Sequence, residues 1–196
     1  YSSRFFLYGP LGLFLALAAG VMVHWWVLAS AFDKKLAALN GREIAPRIFV
    51  SYVTRTIFGF PFRLDAVFTD FTVKGAGAHG DFLWHSARFA LHGLAYGRIQ
   101  DVFEAAGEQT FGWIDAQNKK HLVHFLPASM RASAIAGERG LSHFDLDILD
   151  AGGSDTEDKK FTAGRMQFHL RRDPDGAALD LMASADEVRS TDNIAP

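Results

Sequence analysis

The residues best suited to chemistry in this chain fall into a few small groups. Gly75-x-Gly77-x-x-Gly80 has the spacing of a dinucleotide-binding loop, whose glycines let the backbone approach a pyrophosphate at a helix N-terminus. That chemistry needs a strand before the loop and a helix after it. Phe82 to Leu94 reads as extended, so the glycines are expected in a hairpin. His121 and His124 stand three apart, as metal ligands often do. On a strand, however, an odd spacing sends the two rings to opposite faces and prevents joint chelation. Ser129, Ser133 and Ser142 lack the G-x-S-x-G elbow that exposes a nucleophile. Asp145, Asp147 and Asp150 share a strand face and its end, where solvated carboxylates are the ordinary outcome. No catalytic, metal or cofactor-binding residue is therefore expected, and the chain reads as a non-enzyme.

The elements that would position any site begin with an apolar segment. No charged residue lies between Phe5 and Phe32, and Leu11 to Phe32 is nearly unbroken apolar sequence. At about 1.5 Å per residue, roughly 20 helical residues cross a hydrocarbon core of about 30 Å. The segment therefore predicts a transmembrane anchor over residues 1–32. A cleaved signal peptide is the alternative, since Ala29-Ser30-Ala31 has the small-x-small pattern. A signal core is usually about 7–15 apolar residues, shorter than this run. Trp25 and Trp26 fit an interfacial aromatic belt, with Asp33, Lys34 and Lys35 just beyond it. Gly9, Gly12, Ala16 and Gly20 recur every three or four residues and form a small-residue flank on which another membrane helix can dock. Arg4 alone precedes the span and two lysines follow it, so charge leaves the orientation open. A short N-terminal tail before a long body is the layout of a signal anchor with its C-terminal domain exported.

Beyond the span, Asp33 to Leu39 continues the helix, and Asn40-Gly41 ends a juxtamembrane stretch over 33–41. Residues 42–187 are expected to form one β-rich body, followed by a polar tail over 188–196. Period-two alternation recurs at Ile48–Thr54 and at Phe62–Phe68, and the phase changes at Phe71 and Val73, which places a bulge near Thr69-Asp70. Lys120–Phe125 and Met130–Ile135 are further short strands. Phe144, Leu146 and Ile148, with Met166, Phe168 and Leu170, should face one apolar interior, while Asp145, Asp147, Gln167 and His169 face out. Ile99 to Ala106 is the best helical window in the body. Asp173 to Gly176 predicts a turn and Ala178 to Ala183 its returning strand. The fold class is thus mainly β, a twisted and mostly antiparallel sheet with one or two short helices.

Composition narrows the function classes. Lys and Arg number 20 against 22 Asp and Glu, giving a net charge of −2 without the basic footprint that nucleic acid requires. There are 18 Phe but only 4 Tyr, a bias toward purely apolar lining. Phe68, Phe89, Phe144 and Phe168 are the expected apolar face.

Gly59-Phe60-Pro61-Phe62-Arg63-Leu64, the stretch Trp84 to Tyr96, Ser129 to Ala134 and Phe168 to Gly176 occur in an order that resembles domain-of-unknown-function family 2125, bacterial envelope proteins mainly of alphaproteobacteria. The resemblance implies an inner-membrane anchor and a periplasmic body. It carries no agreed activity. Its layout is similar to that of AsmA-like envelope proteins, whose curved sheets offer an apolar concave face to lipid. Two functions are expected from these readings. One is a periplasmic module binding apolar or lipid ligands or partner proteins. The other is an accessory subunit docked through its span on other inner-membrane proteins.

Overall fold

The computed structural model describes residues 3–77, 80–94, 101–115, 117–137, 140–173 and 178–190. One helix, α1 (Ser3–Leu39), leads into 12 strands: β1 (Arg42–Ala45), β2 (Ile48–Ser51), β3 (Thr54–Phe58), β4 (Arg63–Gly77), β5 (Gly80–Leu94), β6 (Asp101–Ile114), β7 (Lys120–Leu126), β8 (Ser129–Gly137), β9 (Gly140–Asp155), β10 (Lys160–Arg172), β11 (Leu179–Asp186) and β12 (Arg189–Ser190). All pairings are antiparallel and belong to one sheet, ordered β1-β2-β4-β5-β6-β7-β9-β10-β11. Long neighbouring strands joined by hairpins need no crossover helices, as the alternating sequence implied.

The helix is exposed from Pro10 to His24 and is half-buried or buried at Trp25, Leu28, Ala29, Phe32 and Leu36. Those intervals place one stripe of a helix against the sheet. Residues 33–39 continue the apolar helix without a break, and Gly41 takes a positive φ of 72° just beyond the end, as a helix-terminating glycine does. Tyr52 seals the junction: its hydroxyl donates to the carbonyl of Leu36 at 2.9 Å, and its backbone N–H donates to Asn40 Oδ1 at 3.0 Å.

A fold line crosses the sheet. Asp70 has φ 51°, Gly107 78° and Asp150 48°, and β5 and β6 shift register between Ser86 and Arg88. At the same level β2 gives way to β3, β7 to β8, and β11 to β12. Each long strand thus changes phase there. Phe68 and Phe71 both turn inward, as do Ile148 and Ala151. The bulge expected near Asp70 is one station on this line.

Two expectations need correction. The helical window Ile99 to Ala106 is strand β6 from Asp101 onward, with residues 99–100 outside the described ones; its Leu91 and Met130 neighbours hold Phe103 and Ala105 in the ladder on both sides. Paired on two edges and packed through Phe103, the segment gains more as a central strand than its helix propensity offers. Among the described residues α1 is the sole helix, so the short helices expected in the body are absent there. The stretch Ile48–Thr54 is also two strands, interrupted at Tyr52 where the side chain turns to the helix. The Asp173–Gly176 turn lies mostly outside the described residues, but Asp173 N–H donates to the Ala178 carbonyl and closes the hairpin.

Candidate functional site: an apolar groove

The curved sheet bends round one hollow of about 870 Å³. Its floor takes one side chain from each strand in register. Val73, Trp84, Phe111 and Val123 lie on one side of the fold line, and Phe68, Phe89, Met130, Ile148 and Met166 on the other. Leu36 and Leu39 of α1, with Ile44, Val50 and Tyr52, make one wall. Every lining residue is apolar or aromatic. A sheet buried by no second layer leaves such a face open, which makes the hollow the candidate site of the molecule.

An aromatic cluster sets the deepest part. Phe71 and Phe89 stack with centroids 4.2 Å apart, Phe68 lies 4.9 Å from Tyr52, and Trp84 meets Phe89 edge-on at 5.6 Å. Offset and edge-to-face pairs of this kind add about 0.5–1.5 kcal/mol each beyond their burial. Phe68 is only 3% exposed.

Two fully buried polar side chains support this floor. The indole N–H of Trp84 donates to Gln109 Oε1 at 3.2 Å, and Gln109 Nε2 donates in turn to the carbonyls of Gly107 and Ala106. Ser86 Oγ donates to the Arg88 carbonyl at 2.8 Å. Both satisfy backbone groups that the bulge frees from the ladder, a need that applies to any buried polar group. Sequence reading missed them because a lone Gln and Ser in alternating strands carry no signal until the bulge is located.

Of the expected apolar face, Phe68, Phe89 and Phe144 line the hollow. Phe168 points to the same side, opposite Leu146 and 6.2 Å from the Phe144 ring, but sits beyond the lining. The partition of β9 and β10 holds. Met166, Phe168 and Leu170 pair with Ile148, Leu146 and Phe144 on the groove face. On the reverse, His169 Nδ1 lies 2.6 Å from Asp145 Oδ1, and Arg165 pairs with Asp147 at 2.8 Å. Asp147 raises the Arg165 pKa through the hydrogen bond.

The chemical candidates resolve into structural roles. Gly77 and Gly80 face each other across the β4–β5 hairpin, and a Cβ at Gly75 would strike the Phe82 ring, so these glycines make room and hold no phosphate loop. His121 and His124 do point to opposite faces. His121 Nε2 lies 2.8 Å from Asp115 Oδ2 with its ring stacked on Trp113, whereas His124 Nδ1 meets Thr110 Oγ1 at 2.9 Å. His121 first, then the backbone N–H groups of Lys119 and Gln117, hold the Asp115 carboxyl below its usual range. No group of three or more His, Asp or Glu among the described residues is placed to share a metal ion.

The span residues divide. Trp25 is built into the body: its Nε1 donates to the Arg63 carbonyl at 2.8 Å, and its ring meets Phe60 edge-on at 5.6 Å. Trp26 is 65% exposed. The flank of Gly9, Gly12, Ala16 and Gly20 stands clear of the sheet, and a Cβ at Gly12 or Gly20 would meet nothing within 4 Å.

The structure therefore defines a β-protein with one long apolar N-terminal helix and an open hydrophobic groove. The chain belongs to the family described as uncharacterized protein conserved in bacteria (DUF2125), whose model matches residues 25–195. No curated protein and no solved structure matches it.

Proposed function

We propose that this protein is a non-catalytic, single-span module of the bacterial inner membrane, with its sheet in the periplasm and the acyl part of a lipid held in the groove. The carrying observation is the hollow of about 870 Å³, which is lined without a polar side chain and walled on one side by the helix that continues the apolar span. An acyl chain entering it exchanges water or disordered lipid for aromatic walls, with a gain of about 0.8 kcal/mol per CH₂ where the exchange is from water. The convex face carries a smaller hollow of about 540 Å³, whose lining includes the charged Arg47, Lys74, Asp81 and Lys120 and so suits an acyl chain less.

A second reading, an accessory subunit docked through Gly9, Gly12, Ala16 and Gly20 on another inner-membrane protein, is supported by the open space beside Gly12 and Gly20. One experiment addresses both. A photoreactive amino acid is placed in the full chain at Met166 in the groove, at Arg165 on the reverse face, or at Ala16 in the span. Lipid adducts at Met166 and none at Arg165 are expected. Equal lipid labelling of both faces overturns the groove, and a protein adduct at Ala16 with no lipid at Met166 transfers the function to docking.

A further inference from the structure

We infer that the turn over residues 59–62 is a second membrane contact, in which Phe60 and Phe62 lie among the lipid headgroups and upper acyl chains and seat the near end of the groove on the bilayer. This rests on the reading of α1 as a retained span.

Position comes first. The turn is fastened to the helix at Trp25, through the indole bond to the Arg63 carbonyl and the edge-on Phe60 ring. Tyr8 to Trp26 measures about 28 Å at the helical rise, close to the hydrocarbon thickness of about 30 Å, which puts Trp25 at the interface. The first charged residue after it is Asp33, about 12 Å further along the helix. Whatever is bound beside Trp25 therefore sits at headgroup level.

The chemistry of the turn agrees with that level. Phe60 is 49% and Phe62 67% exposed, beside Phe58 and Leu94, which are also exposed. The cation beside the turn is Arg63, whose side chain is 54% exposed; its Nη2 lies 3.1 Å from Asp65 Oδ1 and 3.2 Å from His92 Nδ1, so part of the guanidinium stays open to solvent at this end of the sheet. The Asp65 carboxylate is 5% exposed, so it presents little negative charge to a membrane. Shape is fixed as well. Gly59 has φ 109°, a Cβ there would strike Arg63 at 2.8 Å, and Arg63 N–H donates to the Gly59 carbonyl, so the aromatic pair is held out on a rigid loop.

At the opposite end of the sheet Ile44, Phe49 and Trp113 are also exposed, but none is fastened to α1 near Trp25, and the turns there are polar. The Asp115–Lys119 and Asp155–Lys159 turns are joined by a Lys119–Glu157 ion pair and carry polar, exposed side chains. A protein partner would also cover exposed phenylalanines, but the fastening to Trp25 favours lipid.

Because the chain has no cysteine, single labels are clean. Phe62→Cys, Met22→Cys and Gln117→Cys are spin-labelled in the full chain, in nanodiscs of phosphatidylethanolamine and phosphatidylglycerol. Accessibility to oxygen and to a water-borne nickel complex is then compared. The expected result is an oxygen-to-nickel ratio at Phe62 several-fold above that at Gln117 and approaching that at Met22. If Met22 reads as lipid while Phe62 matches Gln117, the turn is in water and the inference is overturned with the span intact. If Phe62 is shielded from both reagents, a protein covers it and the inference fails. If Met22 itself reads as water, the span reading and the inference fall together.

Discussion

The two rims of the groove are built by opposite means. On the α1 rim, Leu36 packs on Tyr52 and Phe68, and Asp33 receives both Arg55 nitrogens at 2.6 and 2.9 Å; Asp33, ahead of Tyr52, raises the Arg55 pKa. On the β11 rim every residue of the edge strand is exposed. Leu181 lies opposite Leu170 on the groove side and is 63% exposed, and Leu179 is 54% exposed. A sheet needs burial on one face for its strands to hold register. Here the α1 rim obtains it from the helix, whereas the β11 rim leaves its apolar side chains available. The difference teaches that one continuous apolar face is closed by the chain itself at one end and left exposed at the other.

The strongest attempt to break this comparison is a matched pair of deletions. Phe68→Ala should destabilise the body by about 3–5 kcal/mol, the usual range for a buried Phe. Phe168→Ala should lower it by only about 1 kcal/mol, since Phe168 is half-buried and sits beyond the lining. Thermal unfolding in detergent, followed by circular dichroism, measures both, and equal losses would mean the rims are equally structural.

A smaller effect is expected from Arg55→Gln. The Arg55 and Asp33 side chains are 26% and 43% exposed, so solvent screening limits the pair to about 1 kcal/mol or less. The melting temperature should fall slightly, and spin-label distances between the span and the far turns should broaden. Unchanged distances would show that Tyr52 and Leu36 fix the helix without the ion pair.

The smallest effect lies away from both rims, at the far end. The folded Asp115 carboxyl titrates below its unfolded counterpart, so its contribution is complete above the unfolded value of about 3.9 and disappears as pH falls through the folded value. Acid should loosen the Asp115–Lys119 turn, and Asp115→Asn should show less of that acid dependence. Hydrogen exchange at Gln117 and Lys119 reads it, and the same change in protection between neutral pH and acid in both proteins would remove Asp115 as the cause.

Much of this was legible in the chain. The inward set from Phe144 to Leu170 was readable because the two faces of β9 and β10 meet such different surroundings that every second residue is apolar. The phase change between Phe68 and Phe71 was readable for the same reason. Asp101 to Ala106 was not, since Val102 and Phe103 are adjacent, as are Ala105 and Ala106, and such doublets satisfy a helical period as well as an extended one. The role of Trp25 was half visible: its place near the end of the apolar run is plain in the chain, but its bond to Arg63 depends on a contact 38 residues away. Phe168 was placed on the correct face, yet its position outside the hollow depends on the bare β11 rim, which no local pattern reveals.

The fold line has a consequence for how this sequence can vary. Beyond Asp70 in β4, and beyond Asp150 in β9, the face that each residue occupies depends on one extra residue at the corner. Deleting a single residue past the corner, such as Thr72, would turn Val73 outward and bring Lys74 into the groove, although no side chain had been replaced. Exchanging one apolar residue for another in the floor alters a contact; losing one residue between corner and hairpin inverts the rest of the strand. The distance from each corner to its hairpin is thus a stricter inheritance than the identity of most residues between them.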